Sequence, residues 1–165
     1  DVAFLRPETQ SVGVSFKFLA KEPLIAVLPA DHRLTSRKKI RPQDLARETY
    51  VSSARISPVL QSVIQDYASN VGITLKAEYE GDGLPSAMSL VVSTGGITLI
   101  PLYAQNMLTP NVVARALEGM PPTIDLTLGY NDSNSSPLLR RFLSRSDELV
   151  ANVQNQSIIR YAEIP

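Results

Sequence analysis

The stretch Phe16-Lys17-Phe18-Leu19-Ala20-Lys21-Glu22-Pro23-Leu24-Ile25-Ala26-Val27-Leu28, followed by Pro29-Ala30-Asp31-His32-Arg33, decides how the rest of the chain is read. It holds two apolar runs, FKFLA and PLIAVL, separated by Lys21-Glu22. Two such runs in series predict a long strand, or a crossing segment, that enters a second sheet. The residues from Pro29 to Arg33 carry turn chemistry and end it.

Working outward, Val2 to Leu5 reads as a short buried strand stopped by Arg6-Pro7, so the chain is expected to begin inside a domain. Arg41 to Ala46 suggests one helical turn and Tyr50-Val51-Ser52 a brief strand. Ser57-Pro58 has the form of an N-cap with proline at the first helical position. Val59, Leu60, Val63, Ile64, Tyr67 and Val71 then repeat at helical spacing, and Gly72 ends the helix. Ile73 to Glu80 alternates as a strand, and a second helix carries Leu84, Ala87, Met88, Val91 and Val92. Thr94-Gly95-Gly96 closes it before the apolar strand Ile97 to Pro101. A short helix around Leu102 to Met107, strands at Val112–Leu117 and Ile124–Tyr130, and a last helix from Ser136-Pro137 complete the pattern. The tail beyond Asn155 receives no assignment. Alternating helices and strands predict an α/β architecture with a largely parallel sheet.

Composition narrows the function. The chain has 165 residues, 44% of them hydrophobic, with 16 basic and 16 acidic side chains and no cysteine. Zero net charge argues against a DNA-gripping surface, and the cluster Arg33, Arg37, Lys38, Lys39 and Arg41 reads as a solvated loop between turn residues. Thiolate metal sites, disulfides and cysteine nucleophiles are excluded. One histidine without ligand spacing leaves no metal centre or cofactor to argue from. No apolar run is long enough to span a bilayer, and DVAFLRPETQ lacks the form of a secretory signal.

Four pieces, in order and at consistent spacing, resemble the effector-binding domain of LysR-type transcriptional regulators. They are Asp1-Val2-Ala3-Phe4, the run Glu22 to His32 with its Leu-Pro-x-x-His turn, Gln43-Asp44-Leu45-Ala46, and LVVSTGGITLIP from Leu90 to Pro101. Two departures touch turn geometry: Arg33 follows the histidine where the family often has proline, and Thr94 stands where its first turn glycine is usual. The resemblance covers about Asp1 to Leu149. It implies an α/β architecture of two Rossmann-like subdomains, of the periplasmic-binding-protein-like type, joined by two crossing strands with a ligand cleft between them. The crossings would lie near Lys17 and Val112. Residues 1–16 and 112–165 would then form a partial first subdomain, and residues 17–111 the second. The DNA-binding domain of such regulators would lie outside this chain, which would be cytoplasmic and homo-oligomeric.

In a two-lobed α/β fold, ligands sit at strand C-termini and helix N-termini between the lobes. Ser52-Ser53-Ala54-Arg55-Ile56-Ser57 is a strand end running into a helix start; Ser52, Ser53, Arg55 and Ser57 are candidate effector contacts, against the plainer reading of a polar loop. Arg6 follows a strand end and would pair with a ligand carboxylate through its planar fork. Arg115, in VVARAL, is a weaker candidate of the same kind, and Thr98 and Pro101 would line the cleft or pack in the core. His32 has no catalytic partner pattern, so it reads as structural, and no catalytic or metal-binding residue is assigned. The expected function is sensing of a small anionic effector, with an aromatic carboxylate as the suggested class. The alternatives are an extracytoplasmic solute-binding protein and an enzyme on the same fold, such as a tetrapyrrole-pathway deaminase or a dehydratase-like protein. The missing cysteines and unpaired acid/base groups weigh against the enzyme.

Overall fold

In a computed structural model, which describes residues 2–7, 12–53 and 57–164, the chain is an α/β protein built around one very long strand. Strand β1 (Val2–Leu5) is followed by β2 (Val14–Pro29), a 3-10 turn at Arg33–Ser36, β3 (Lys39–Ile40), α1 (Pro42–Leu45) and β4 (Tyr50–Ser52). Then come α2 (Pro58–Asn70), β5 (Ala77–Glu80), α3 (Leu84–Thr94) and β6 (Thr98–Pro101). A 3-10 helix at Leu102–Met107, β7 (Val112–Leu117), β8 (Thr123–Asn131) and α4 (Pro137–Ala162) close the order. Asp1, the first residue of the family-like piece Asp1-Val2-Ala3-Phe4, lies outside the described residues.

β2 serves two neighbourhoods. Its first part, Val14 to Pro23, pairs antiparallel with β8, whose other edge takes β1. The register slips between Phe18 and Ala20, an irregularity that bends the strand as it leaves this neighbourhood. Its second part, Leu24 to Pro29, is flanked by β6 and β7, and β3 continues the sheet beyond β7. That change is written in burial: Val14 to Phe18 are exposed or half-exposed, whereas Leu24 to Pro29 are all buried. A strand with layers on both faces has no solvent side, which is why PLIAVL is continuously apolar.

Alternation along β2 divides the core in two. Leu24, Ala26 and Leu28 join Ile97 and Leu99 beneath α2, which contributes Leu60, Ile64 and Tyr67. Ile25 and Val27 face the other way, with Ile100, against Ala87, Met88 and Val91 of α3. Ile164 packs into that second cluster, and the Tyr161 hydroxyl binds Leu117 twice, accepting from its N–H at 2.9 Å and donating to its carbonyl at 3.2 Å. Near the other end of α4, the Lys17 ammonium donates to the Leu143 carbonyl at 2.6 Å and pairs with Asp147 at 2.8 Å. The last helix therefore touches both neighbourhoods of β2, and it runs well past the point where sequence pattern assigns nothing.

Four expectations are revised. The sheet is not largely parallel: four of the six strand pairings among the described residues are antiparallel, because the chain returns along β2 three times, as β6, β7 and β8, and only β3–β7 and β4–β5 pair parallel. Val112–Leu117 is not a crossing strand: Val112 lies opposite Pro29, so β7 stays with the second half of β2, and the return to the first half is made by β8. On strand pairing, residues 112–117 group with residues 17–111. The strand expected over Ile73–Glu80 starts only at Ala77, because Ile73 donates back to Ala68 and Leu75 is drawn into the α2 core. Ser57 occupies the N-cap position of α2 but makes no side-chain capping bond.

The two departures from the family's turn residues are accommodated locally. Gly95 ends α3 in the left-handed region at φ 67°, and the Thr94 hydroxyl donates to Leu90 and accepts from the Gly96 N–H, tying off the helix end. His32 accepts from the Leu34 N–H through Nδ1, and its Nε2 lies 3.3 Å from Glu48, which also pairs with Arg33. The histidine is a turn fastener with its ring buried.

Candidate functional site

A cavity of about 180 Å³ opens where the first strand meets the second half of the sheet. Arg6 and Ile124 reach it from one side, the Arg6 position being fixed by β1 pairing along β8, with Leu5 opposite Thr127. The Thr127 hydroxyl donates to the Leu5 carbonyl at 3.1 Å and secures this junction. The opposite wall comes from strand ends and helix starts: Ser53 after β4, Ser57 and Leu60 at α2, Gly83 and Leu84 at α3. Ile100 and Pro101 at the end of β6, with Tyr103 and Ala104 in the following 3-10 helix, complete it.

Electrostatics favour an anion here. Helices α2 and α3, of 13 and 11 residues, both start at this cavity, and each start presents N–H groups without intrahelical partners and the positive end of a helix dipole. Arg6 adds a full positive charge. Its Nη1 donates to the carbonyls of Ile124 (3.3 Å) and Asp125 (3.1 Å), which anchors one end of the guanidinium. Its carbon lies 5.3 Å from the centroid of the Tyr103 ring, a cation–π distance. With Nη1 engaged, the Nε–Nη2 edge, which makes no hydrogen bond among the described residues, can offer a carboxylate two parallel donors. Ser53, nearly buried, donates to the Leu99 carbonyl at 3.4 Å, so its oxygen lone pairs and rotor stay adjacent to the cavity. The remaining lining is apolar, a floor suited to a hydrocarbon body attached to the anionic group.

Of the residues singled out from sequence, Arg6, Ser53, Ser57 and Pro101 are brought together on this cavity. Arg55 lies outside the described residues. Ser52 instead borders a small depression with Tyr50, Gln61 and Glu80, and its carbonyl accepts from the Gly81 N–H at 2.8 Å. Thr98 is fully buried and lies opposite Val27 in the sheet. Arg115 is committed elsewhere: its guanidinium donates to the carbonyls of Thr35, Arg37 and Ala114 and pins the turn before β3. Tyr103, Gly83 and Leu84 escaped the sequence reading. The rule that ligands gather at strand and helix ends would have reached Gly83 and Leu84, while Tyr103 depends on the direction of a 3-10 helix.

Among the described residues no group of three or more acidic or histidine side chains is placed to hold a metal ion, and no helix is long and apolar enough to cross a membrane. The family model described as the LysR substrate binding domain matches residues 1–150. The Hca operon transcriptional activator HcaR of Escherichia coli (strain K12) is 31% identical over 158 residues, 93% of this chain and 52% of that protein. The HTH-type transcriptional regulator AlsR of Bacillus subtilis (strain 168) is 23% identical, over 89% of this chain and 49% of its own length. This chain thus spans about half the length of the curated relatives it matches. Among solved structures, the LysR family transcriptional regulator CbnR superposes with a TM-score of 0.79 at 15% identity, covering 90% of this chain and 52% of that one. The effector binding domain of BenM with its effector benzoate gives 0.75 at 18% identity, covering 93% and 68%. The fold is therefore that of LysR effector-binding domains, the periplasmic-binding-protein-like α/β type, and the chain belongs to the LysR substrate-binding domain family.

Proposed function

We propose that this chain is the effector-sensing part of a bacterial transcriptional regulator, and that the cavity at Arg6 binds a small carboxylate whose apolar body, a ring in the suggested class, is excluded from water. The observation that carries this reading is the convergence of Arg6 and the starts of α2 and α3 on one otherwise apolar cavity. The BenM domain, whose benzoate pairs a planar carboxylate with a ring, supports the ligand class by analogy of fold. Occupancy would act by shifting the position of the β1–β8 side of the site relative to the α2–α3 side, biasing the conformation of the intact regulator. DNA contact by that regulator is supported by the structure of CbnR with its target DNA, and the zero net charge of this chain supports placing the contact elsewhere. A homo-oligomer in the cytoplasm completes the proposal. Transcription regulators among the relatives favour sensing over solute delivery or catalysis.

The test is calorimetry with benzoate and a panel of aromatic and aliphatic carboxylates. For whichever carboxylate binds, Arg6→Ala should remove a charge-assisted bond of roughly 1.5–3 kcal/mol and weaken binding about tenfold or more. Arg6→Lys should restore part of it, because lysine keeps the charge and loses the fork. Ser53→Ala should cost less, as a neutral hydroxyl bond is worth roughly 0.5–1.5 kcal/mol. Binding that is indifferent to Arg6→Ala would overturn the assignment.

A further inference from the structure

We infer that Tyr103 is a positioning residue for Arg6 and latches the two sides of the site at its rim. The inference rests on the proposed reading of the cavity. Arg6 follows β1 and belongs to the side of the site built on β8, whereas Tyr103 stands in the 3-10 helix after β6 on the other side. Their contact, 5.3 Å from guanidinium carbon to ring centroid, spans the boundary between the sides. Tyr103 is half-exposed, so the pair sits at the mouth of the cavity and not at its floor.

The geometry gives each partner a distinct task. The carbonyls of Ile124 and Asp125 hold one terminal nitrogen of Arg6 and so set one direction of its plane. Two bonds from one nitrogen still allow the plane to tilt, and an aromatic face stacked on the guanidinium removes that freedom. A fork fixed in advance loses less conformational entropy when a carboxylate binds it. Because the ring and the guanidinium come from opposite sides, separating the sides breaks the stack. Site opening and loss of the ordered fork are thus one event. The phenol hydroxyl has no part in this stack, so the ring alone should suffice.

The full chain, labelled at arginine, provides the test. The Arg6 Nε–Hε resonance is identified by its loss in Arg6→Lys. It should be shifted upfield by the ring in the parent and in Tyr103→Phe, and should lose that shift in Tyr103→Leu, with the thermal unfolding midpoint unchanged across the three. An Arg6 resonance that is the same in all three proteins overturns the latch. Benzoate is then added to each. Perturbation of the Arg6 resonance, with affinity about two- to fivefold weaker in Tyr103→Leu and restored in Tyr103→Phe, supports the latch in its binding role. Benzoate affinity equal in parent and Tyr103→Leu overturns that role. An Arg6 resonance that keeps its ring shift yet ignores benzoate and the carboxylate panel overturns the carboxylate reading of the cavity and leaves the positioning contact standing.

Discussion

Replacing Thr98 by valine should stabilise this protein, although threonine and valine have the same shape. Thr98 is fully buried in β6, lies directly opposite Val27 in β2, and its hydroxyl finds no hydrogen-bond partner among the described residues. Alternation along β6 sends Ile97 and Leu99 toward α2 and leaves Thr98 with Ile100 and Val27 on the α3 side. A buried polar group without a partner costs roughly 1–3 kcal/mol, and the valine methyl that replaces it is at home among those neighbours. Thr98→Val should therefore raise the unfolding free energy by about 1–3 kcal/mol. For a chain of this size that corresponds to a Tm increase of roughly 2–10 °C. Urea denaturation followed by far-UV circular dichroism reads the change as a higher midpoint with an unaltered slope. Binding of a carboxylate to the Arg6 cavity should be unaffected, because Thr98 is not on its wall. A loss of 1 kcal/mol or more on substitution would refute the reasoning, since it would mean the hydroxyl is bonded in solution. Intact stability with lost ligand binding would instead return Thr98 to the site.

Two further substitutions probe turn residues of the fold. Gly96→Ala should destabilise by roughly 1–3 kcal/mol in the same denaturation assay, because the new Cβ would stand 2.6 Å from the Thr49 carbonyl oxygen, a backbone atom that cannot swing aside; a neutral result would show that the strand end yields. Asp44→Asn should cost about 1–2 kcal/mol at neutral pH, since the carboxylate is buried, accepts from Arg41 at 3.1 and 3.2 Å and faces the half-exposed Arg37 at 3.7 Å. Hydrogen bonding by Arg41, with the charge of Arg37 helping and burial opposing, holds the Asp44 carboxyl below its ordinary range. A depressed folded value stabilises above the unfolded pKa of about 3.9 and is lost as pH falls through the folded value, so the parent's advantage should be constant near neutrality and shrink below about pH 4; an advantage that persists in acid would refute the pairing.

The fold was legible where burial is continuous and illegible where two strands look alike. PLIAVL announces a strand with no solvent face, and the structure supplies layers on both sides of it. Val112–Leu117 and Thr123–Asn131 both read as strands of ordinary length, and nothing local separates the one that stays from the one that crosses. The difference lies in partners: Val112 meets Pro29, at the far end of β2, while Thr123 meets Pro23 in its middle. The end of α4 was illegible for another reason. Its Tyr161 is justified by the N–H and carbonyl of Leu117, groups far away in sequence, and not by periodicity along the helix.

The site shows the same limit more sharply. Arg6, just after a short apolar strand, and Arg115, within another, are both cations set among apolar strand residues, and sequence offers little to rank them beyond the resemblance. What separates them is which carbonyls each guanidinium finds. Arg115 spends Nε and both terminal nitrogens on the backbone of Thr35, Arg37 and Ala114, so the residue is consumed in holding a turn. Arg6 spends one nitrogen on Ile124 and Asp125, and among the described residues its other edge makes no hydrogen bond. Both carbonyls that orient Arg6 belong to β8, the crossing strand, and the ring that stacks on it follows β6, which pairs with the far half of β2. The proposed fork is thus assembled from segments brought together largely by the pairing of β2 with β8. A residue type can be read from the sequence, but a donor left over after all others are satisfied is a property of the assembled sheet. That is why the cavity could be anticipated as a set of strand and helix ends, while the preference for Arg6 over Arg115 as its proposed cation rests on the pairing of β2 with β8.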